Sequence, residues 1–387
     1  MQESTFCQPR VHSIWPVLIN ILIPNTVPQL EDAASASNSL KKHKKSRKSC
    51  SSDEEIAKNL KSFCEIIIEG SLLFSSHDRK HLAFDVMFLL LQKLSASLVP
   101  VVLSNKVVQC LMDILSTNKT WLYKVGEHFL KQLSDWVGDD DVKRVAVIVA
   151  LQKHSNGKFD CITRTKHVKD LMSQFKTEPG RMLLIQNLMN LFVDEDNALE
   201  EPSDQSQTTD ENSEIGSIED KESPRTNGNS DFLKSWVIES LPGILKFFKL
   251  DHDEKLRVQK EIMKFMAVQG LFTASLGTEV TSFELDEKFR WPKSPTSNAL
   301  CKLCIEQLQL LLANAHKGEG SRPSADVVEP PNDLGSYFMK FFSTLCNIPS
   351  VSLFRSLDDE DDKAVKDLQA MEATLSREVC FGLIIDT

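Results

Sequence analysis

The stretch Glu65–Ser104, EIIIEGSLLFSSHDRKHLAFDVMFLLLQKLSASLVPVVLS, reads as the end of one buried helix, a turn, a second helix and an exit marked by Pro100. Ser75 is placed to cap the second helix, and Asp78 three residues on completes a capping box. From Leu82 to Leu94 the apolar residues leave only a narrow polar stripe, through His81, Asp85 and Gln92. A helix that is apolar nearly all round must be covered on more than one side. It is therefore expected at the centre, with its neighbours stacked on it.

Upstream, Glu54–Phe74 places Ile56, Leu60, Phe63, Ile67 and Ser71 on one helical face, with Lys58, Lys61, Glu65 and Glu69 elsewhere. Ser51-Ser52-Asp53-Glu54 is expected to cap that helix. Before it, Arg10–Ile23 is an apolar segment interrupted at Pro16, and residues 24–53 are a polar loop. Downstream, Ser104–Leu115 carries Val107, Val108, Leu111 and Leu115. Asn118 opens a helix to Val137 with Leu122, Val125, Phe129, Leu133 and Trp136 in one stripe, ended by Gly138. Asp139-Asp140-Asp141 puts acid at the N-terminus of Val142–Lys153, a segment with enough β-branching to suit a strand as well. Ser155-Asn156-Gly157 is a turn. Thr165–Phe175 and Arg181–Phe192 are two more helices, split by Pro179-Gly180.

Helices joined by short turns, with no convincing strand pair, predict an all-α fold, an armadillo/HEAT-like α-solenoid. Residues 1–193 form a first helical-repeat segment and 231–387 a second. Between them, 194–230 reads as a disordered acidic linker: residues 194–222 hold twelve acids and one Lys, too little apolar surface to offset the ordering entropy. In the second segment, 231–248 is bent at Pro242-Gly243, and Leu256–Phe272, Asn298–Ala315, Leu334–Asn347 and Lys363–Ser376 are helices. The last residues, FGLIIDT, leave an apolar strip open, and the chain is expected to be a fragment of something longer.

With 387 residues, 41% hydrophobic and 26% charged, the chain has the composition of a globular protein and room for two domains. No apolar run approaches the roughly 20 residues of a membrane span, and the N-terminus lacks a signal-peptide layout. Nine dispersed cysteines fit reduced thiols in cytosol or nucleus. The net charge of −10 is uneven: residues 1–193 carry 25 Lys and Arg against 19 Asp and Glu, and the remainder 20 against 36. Six of the cations, Lys41, Lys42, Lys44, Lys45, Arg47 and Lys48, fall within eight residues. Such density is costly without an anion, which favours a nuclear import signal or a nucleic-acid contact over a loop made soluble by lysine.

No catalytic, cofactor or metal motif is found. The 14 glycines make no phosphate-binding loop, and the nine histidines do not fall at metal-ligand spacings. Cys301-Lys302-Leu303-Cys304 is a lone CxxC on an apolar helix and reads as packing. Asp358–Asp362 reads as a solvated acid run.

Several blocks together resemble one family. His12-Ser13-Ile14-Trp15-Pro16 is the first. Glu69-Gly70 with Ser75-Ser76-His77-Asp78-Arg79-Lys80, and then Ser97-Leu98-Val99-Pro100 with Val102-Leu103-Ser104, follow. Tyr123-Lys124, and Gly157-Lys158-Phe159-Asp160 with Thr163, Thr165-Lys166 and Val168, extend the likeness. The chain is similar to the Myb-binding protein 1A family, also called DNA polymerase V or polymerase phi. That resemblance implies an armadillo-type protein of the nucleus and nucleolus, linked to ribosomal DNA transcription and ribosome biogenesis. Its implied partners are transcription and ribosome-assembly proteins, ribosomal DNA or RNA, and a nuclear import receptor, with no membrane and no small-molecule substrate. Four readings follow: a helical scaffold and transcriptional co-regulator that is not an enzyme, a sequence-nonspecific nucleic-acid binder, a DNA-directed DNA polymerase as the family name says, and a nuclear transport receptor.

Overall fold

Apolar residues recurring every three or four positions, punctuated by Gly, Pro and Asp, make helices the natural local structure of this chain. A computed structural model describes residues 11–23, 47–194, 228–247, 250–277, 280–292, 295–317 and 334–353. The fold is all-α, built from packed helix pairs. It divides into two units, Met1–Arg181 and Met182–Thr387.

In the first unit, α1 (Ile14–Leu22) precedes α2 (Arg47–Phe63), which continues as a π-helix over Cys64–Leu73. Then come α3 (His77–Leu91), α4 (Val99–Val102), α5 (Asn105–Ser116), α6 (Trp121–Val137), α7 (Asp141–His154), α8 (Phe159–Thr163) and α9 (His167–Ser173). The expected central helix is there. In α3, Ala83, Phe84, Val86, Met87, Leu90 and Leu91 are all buried, under α1, the π segment, α4 and α6.

Five local expectations are corrected. Pro16 does not interrupt α1, because it sits in the first turn, where its missing N–H has no intrahelical partner to lose. Residues 51–54 lie inside α2, which already begins at Arg47. The N-cap of α3 is Ser76 rather than Ser75, extended at φ −60°, ψ 163°, and no side chain caps the helix, so the capping box with Asp78 does not form. Pro179-Gly180 does not separate two helices; it falls in the first turn of α10 (Glu178–Val193). Glu69 does not face solvent. The π segment takes one more residue per hydrogen-bonded turn than an α-helix, so its buried line runs Leu60, Cys64, Ile68 and Leu72 and draws Glu69 inward.

In the second unit, α12 (His252–Leu271) packs on α11 (Gly228–Phe247), α14 (Asn298–Lys317) and α15 (Leu334–Cys346), with α13 (Val280–Phe289) between. Asp251 caps α12 by accepting from Glu254 N at 2.7 Å. Pro242 lies within α11, which runs on past it. A short strand pair, unexpected from the sequence, joins β1 (Phe272–Ala274) antiparallel to β2 (Val351–Leu353), with Phe272 opposite Leu353. Three residues per strand are too few to show period-2 alternation.

The β-branched segment of α7 is a helix because its N-terminus is fixed twice. Asp140 accepts from Val142 N at 3.0 Å and Lys143 N at 3.1 Å. Arg144 is buried and pairs with buried Asp141 and the Gly138 carbonyl. The second Asp141 oxygen accepts from Thr177 N at 3.1 Å and Thr177 Oγ1 at 2.7 Å. Gly180 leaves the room for this: a Cβ there would meet Asp141 Oδ2 at 2.3 Å.

Two outcomes follow from this packing. Leu90→Asp places an unpaired carboxylate at a position of 0% exposure and is expected to cost several kcal/mol, seen as loss of a cooperative thermal melt by circular dichroism. Gly180→Ala is expected to break the Asp141–Thr177 bonds and cost about 3 kcal/mol, read as a lowered urea midpoint; an unchanged midpoint would show that the α9–α10 turn yields freely.

Candidate nucleic-acid interface

The sequence singles out two sets of residues, and the structure places them differently. Lys41, Lys42, Lys44 and Lys45 lie outside the described residues, as do 194–222 apart from Asp194, and 358–376. Arg47 and Lys48 open α2. The second set, Glu69, Gly70 and Ser75–Lys80, spans the π segment and the first turn of α3.

Glu69 ties two of the sequence blocks together. Its Oε1 accepts from Ser104 Oγ at 2.5 Å, and its Oε2 lies 3.7 Å from Lys106 Nζ. Ser104 is in turn the N-cap of α5, accepting from Val107 N at 3.5 Å. A buried carboxylate is thus held at a helix N-terminus, where the peptide dipoles favour negative charge. Gly70 allows the tight backbone beside it, since a Cβ would sit 3.1 Å from the Glu65 carbonyl oxygen. Cys64, on the same segment, is an inert thiol: burial, helped by Glu69 and Glu65, pushes it up to about 12.

Ser76 and His77 start α3 at the surface, with Asp78 and Arg79 exposed. His77 and His81 meet the exposed Trp121 ring edge-on, with centroids 6.3 and 5.8 Å away. His81 Nε2 lies 3.8 Å from Asp85. Burial raises the Asp85 carboxyl while His81 and His128 oppose that rise. This is a half-buried surface network, not a site with a converging nucleophile and base.

Asp160 organises the next block. Its Oδ1 accepts from Thr165 Oγ1 and Val168 N, both at 3.1 Å, and its Oδ2 from Lys169 N at 3.0 Å. Asp160 therefore caps α9 from α8. No pattern in the sequence signals this, because the cap lies eight residues before the N–H it serves rather than two or three. His167 begins α9 with its Nδ1 3.5 Å from Ser134 Oγ. Burial lowers its pKa to about 4, against the pull of Asp160 and Asp170, so the ring is neutral near pH 7.

Glu69, Asp141 and Asp160 are each saturated by nearby donors, which fastens helices together rather than leaving a carboxylate for chemistry. Cys301 and Cys304 are packing residues, as their helical spacing suggests. A Cβ on Gly270 would lie 3.0 Å from Cys304 Cβ, so α12 and α14 touch there, and Cys301 Sγ donates to the Gln269 carbonyl at 3.5 Å. Among the described residues no three His, Cys, Asp or Glu side chains gather as a metal-ion site. No single described helix is long and apolar enough to cross a membrane.

Residues 1–379 match the family described as DNA polymerase phi. The chain belongs to the DNA polymerase phi family. No curated protein and no solved structure matches it. The blocks that carry the resemblance to that family are largely the junctions just described: Glu69 with Ser104, Ser76 at the head of α3, and Asp160 with Thr165 and Val168.

The depressed His167 sets a pH dependence. The unfolded chain takes up its proton below about 6.5, the folded one only below about 4. The stabilising contribution is complete above about 6.5 and is lost as pH falls to about 4, a change of up to about 3 kcal/mol. His167→Asn is expected to flatten the fall in urea midpoint between pH 7 and pH 4.5; an equally steep fall in the variant would assign the dependence to other groups.

Proposed function

We propose that this chain is a nucleolar helical scaffold and transcriptional co-regulator, which binds transcription and ribosome-assembly proteins and acts without catalysing a reaction. One observation carries the reading. The family match runs over residues 1–379, across both helical units, instead of being confined to one pocket-sized segment. What the family shares is then helical structure across both units, and packed helices of this kind can present many small contacts to large partners. Family members are nucleolar factors of ribosomal DNA transcription and ribosome biogenesis, and the proposal assigns this chain the same setting.

Within that role, Lys41, Lys42, Lys44, Lys45, Arg47 and Lys48 serve the import receptor or nucleic-acid phosphates. Six cations in eight residues give a salt-sensitive, sequence-independent attraction, because each neutralised phosphate releases counterions. The internal use of Glu69, Asp141 and Asp160 supports a structural part for these acids of the first unit.

The test has two readouts. With all six cations replaced by Ala, nuclear accumulation of a fluorescent fusion is expected to be lost; unchanged localisation removes the import role. Fluorescence anisotropy with labelled duplex DNA and structured RNA, over a salt series, is expected to show binding by the parent that weakens steeply with salt and is reduced in the variant. No binding at moderate salt would remove the nucleic-acid role and leave protein partners alone.

A further inference from the structure

The loop between α8 and α9 carries more than a structural junction. Arg164, Lys166 and Lys169 are all exposed, and among the described residues none of the three is in an ion pair. The acid of α8 nearest in sequence, Asp160, turns its two oxygens onto the Thr165 hydroxyl and the Val168 and Lys169 N–H groups. Asp170 is the exposed acid beside them, and His167 is neutral.

Arg164 has a left-handed backbone, φ 57°, ψ 32°. For a residue with a Cβ that conformation costs on the order of 1 kcal/mol, and Gly would relieve it. The surroundings hold it there. Thr163 Oγ1 donates to the Phe159 carbonyl at 2.7 Å and lies 2.9 Å from Thr165 Oγ1, while Thr165 N donates to the Asp160 carbonyl at 3.2 Å. Arg164 closes α8 in the left-handed conformation common at helix C-termini, so its side chain leaves from a fixed backbone. A fixed backbone also lowers the ordering cost of binding.

We propose that Arg164, Lys166 and Lys169 grip the phosphate backbone of a nucleic acid, as a contact separate from residues 41–48. The inference rests on the nucleic-acid part of the function proposed above and adds a defined place for it. Cations without an aromatic or apolar anchor among them suit phosphates, whose recognition is by charge and forked hydrogen bonds. The exposed large apolar side chain of α8 is Ile162, at 39%, too little for the desolvated centre that carries most of the energy of a stable protein interface.

The full chain, the six-Ala variant of residues 41–48, Arg164→Gly, and the triple variant Arg164→Gly, Lys166→Ala, Lys169→Ala are titrated by anisotropy against labelled duplex DNA and structured RNA over a salt series. The triple variant is expected to bind more weakly and to lose roughly 2–3 units of log–log salt slope, about 0.9 per phosphate on a duplex and about 0.7 on a single strand. Arg164→Gly alone is expected to lose about one unit while its melting temperature stays level or rises, since Gly accepts the left-handed backbone. A loss of binding through misfolding would lower the melting temperature instead. Parent binding with unchanged slope in the triple variant overturns this contact and leaves the nucleic-acid reading standing. A parent that binds neither probe ends both. A triple variant that loses only binding to a labelled polyglutamate peptide would make the loop a protein site and overturn the proposal.

Discussion

Arg144 is 1% exposed, and a guanidinium taken out of water must find acceptors or unfold the region around it. Its partners lie in the turns flanking α7 and α10 and in the first residue of α7. The Gly138 carbonyl faces it from the α6–α7 turn and the Asp141 carboxylate from the start of α7, and the Phe175 ring lies 5.2 Å from its central carbon. Asp141 is then held from behind by Thr177, whose hydroxyl also accepts from Gly180 N at 3.1 Å. Gly138, at φ 47°, supplies a backbone turn that few other residues tolerate. One buried charge thus sets the turn before α7 and the turn before α10 together. It also accounts for a β-branched helix whose local preference alone would not decide between helix and strand.

The same logic recurs at smaller scale. Glu69 joins the π segment to the start of α5, and Asp160 joins α8 to α9. In each case a carboxylate reaches a helix N-terminus from another element, satisfying N–H groups or a capping hydroxyl that the helix itself cannot. Several residues by which this chain resembles its family, Glu69, Ser104, Asp160, Thr165 and Val168, lie there. Such residues report architecture.

Much of the fold was legible in the sequence because local pattern and tertiary packing agree. Val107, Val108, Leu111 and Leu115 are buried on α5, Leu122, Val125, Phe129 and Leu133 on α6, and Phe338, Phe341 and Leu345 on α15. Asn156 and Gly157 do take positive φ. Some misreadings concern where α-helices begin, as at Pro16 and Pro179, and others arise where hydrogen bonding departs from the α pattern. The π segment re-registers its buried face, so an α-helical template puts Glu69 on the wrong side. The cap on α3 falls one residue later than the Ser75 pattern suggests. Three-residue strands fall below what periodicity can reveal. Of the candidate site, the Glu69 and Ser75–Lys80 blocks were visible as sequence likeness, but their roles were not, because Ser104 lies 35 residues from Glu69. Arg164 gave no signal at all: its backbone conformation is imposed by Thr163, Thr165 and Asp160, not by its own preference.

The closeness of α12 and α14 at Gly270 also bears on how the second unit meets oxidants. Burial pushes the Cys304 thiol far above its usual range, with Cys301 adding to it, and only the thiolate reacts readily with alkylating or oxidising reagents. The Cys304 sulfur is therefore slow to react while the helices touch. Modification at Cys304 thus waits on the parting of α12 and α14, whereas the exposed Cys161 of the first unit is open to reagents in the folded chain.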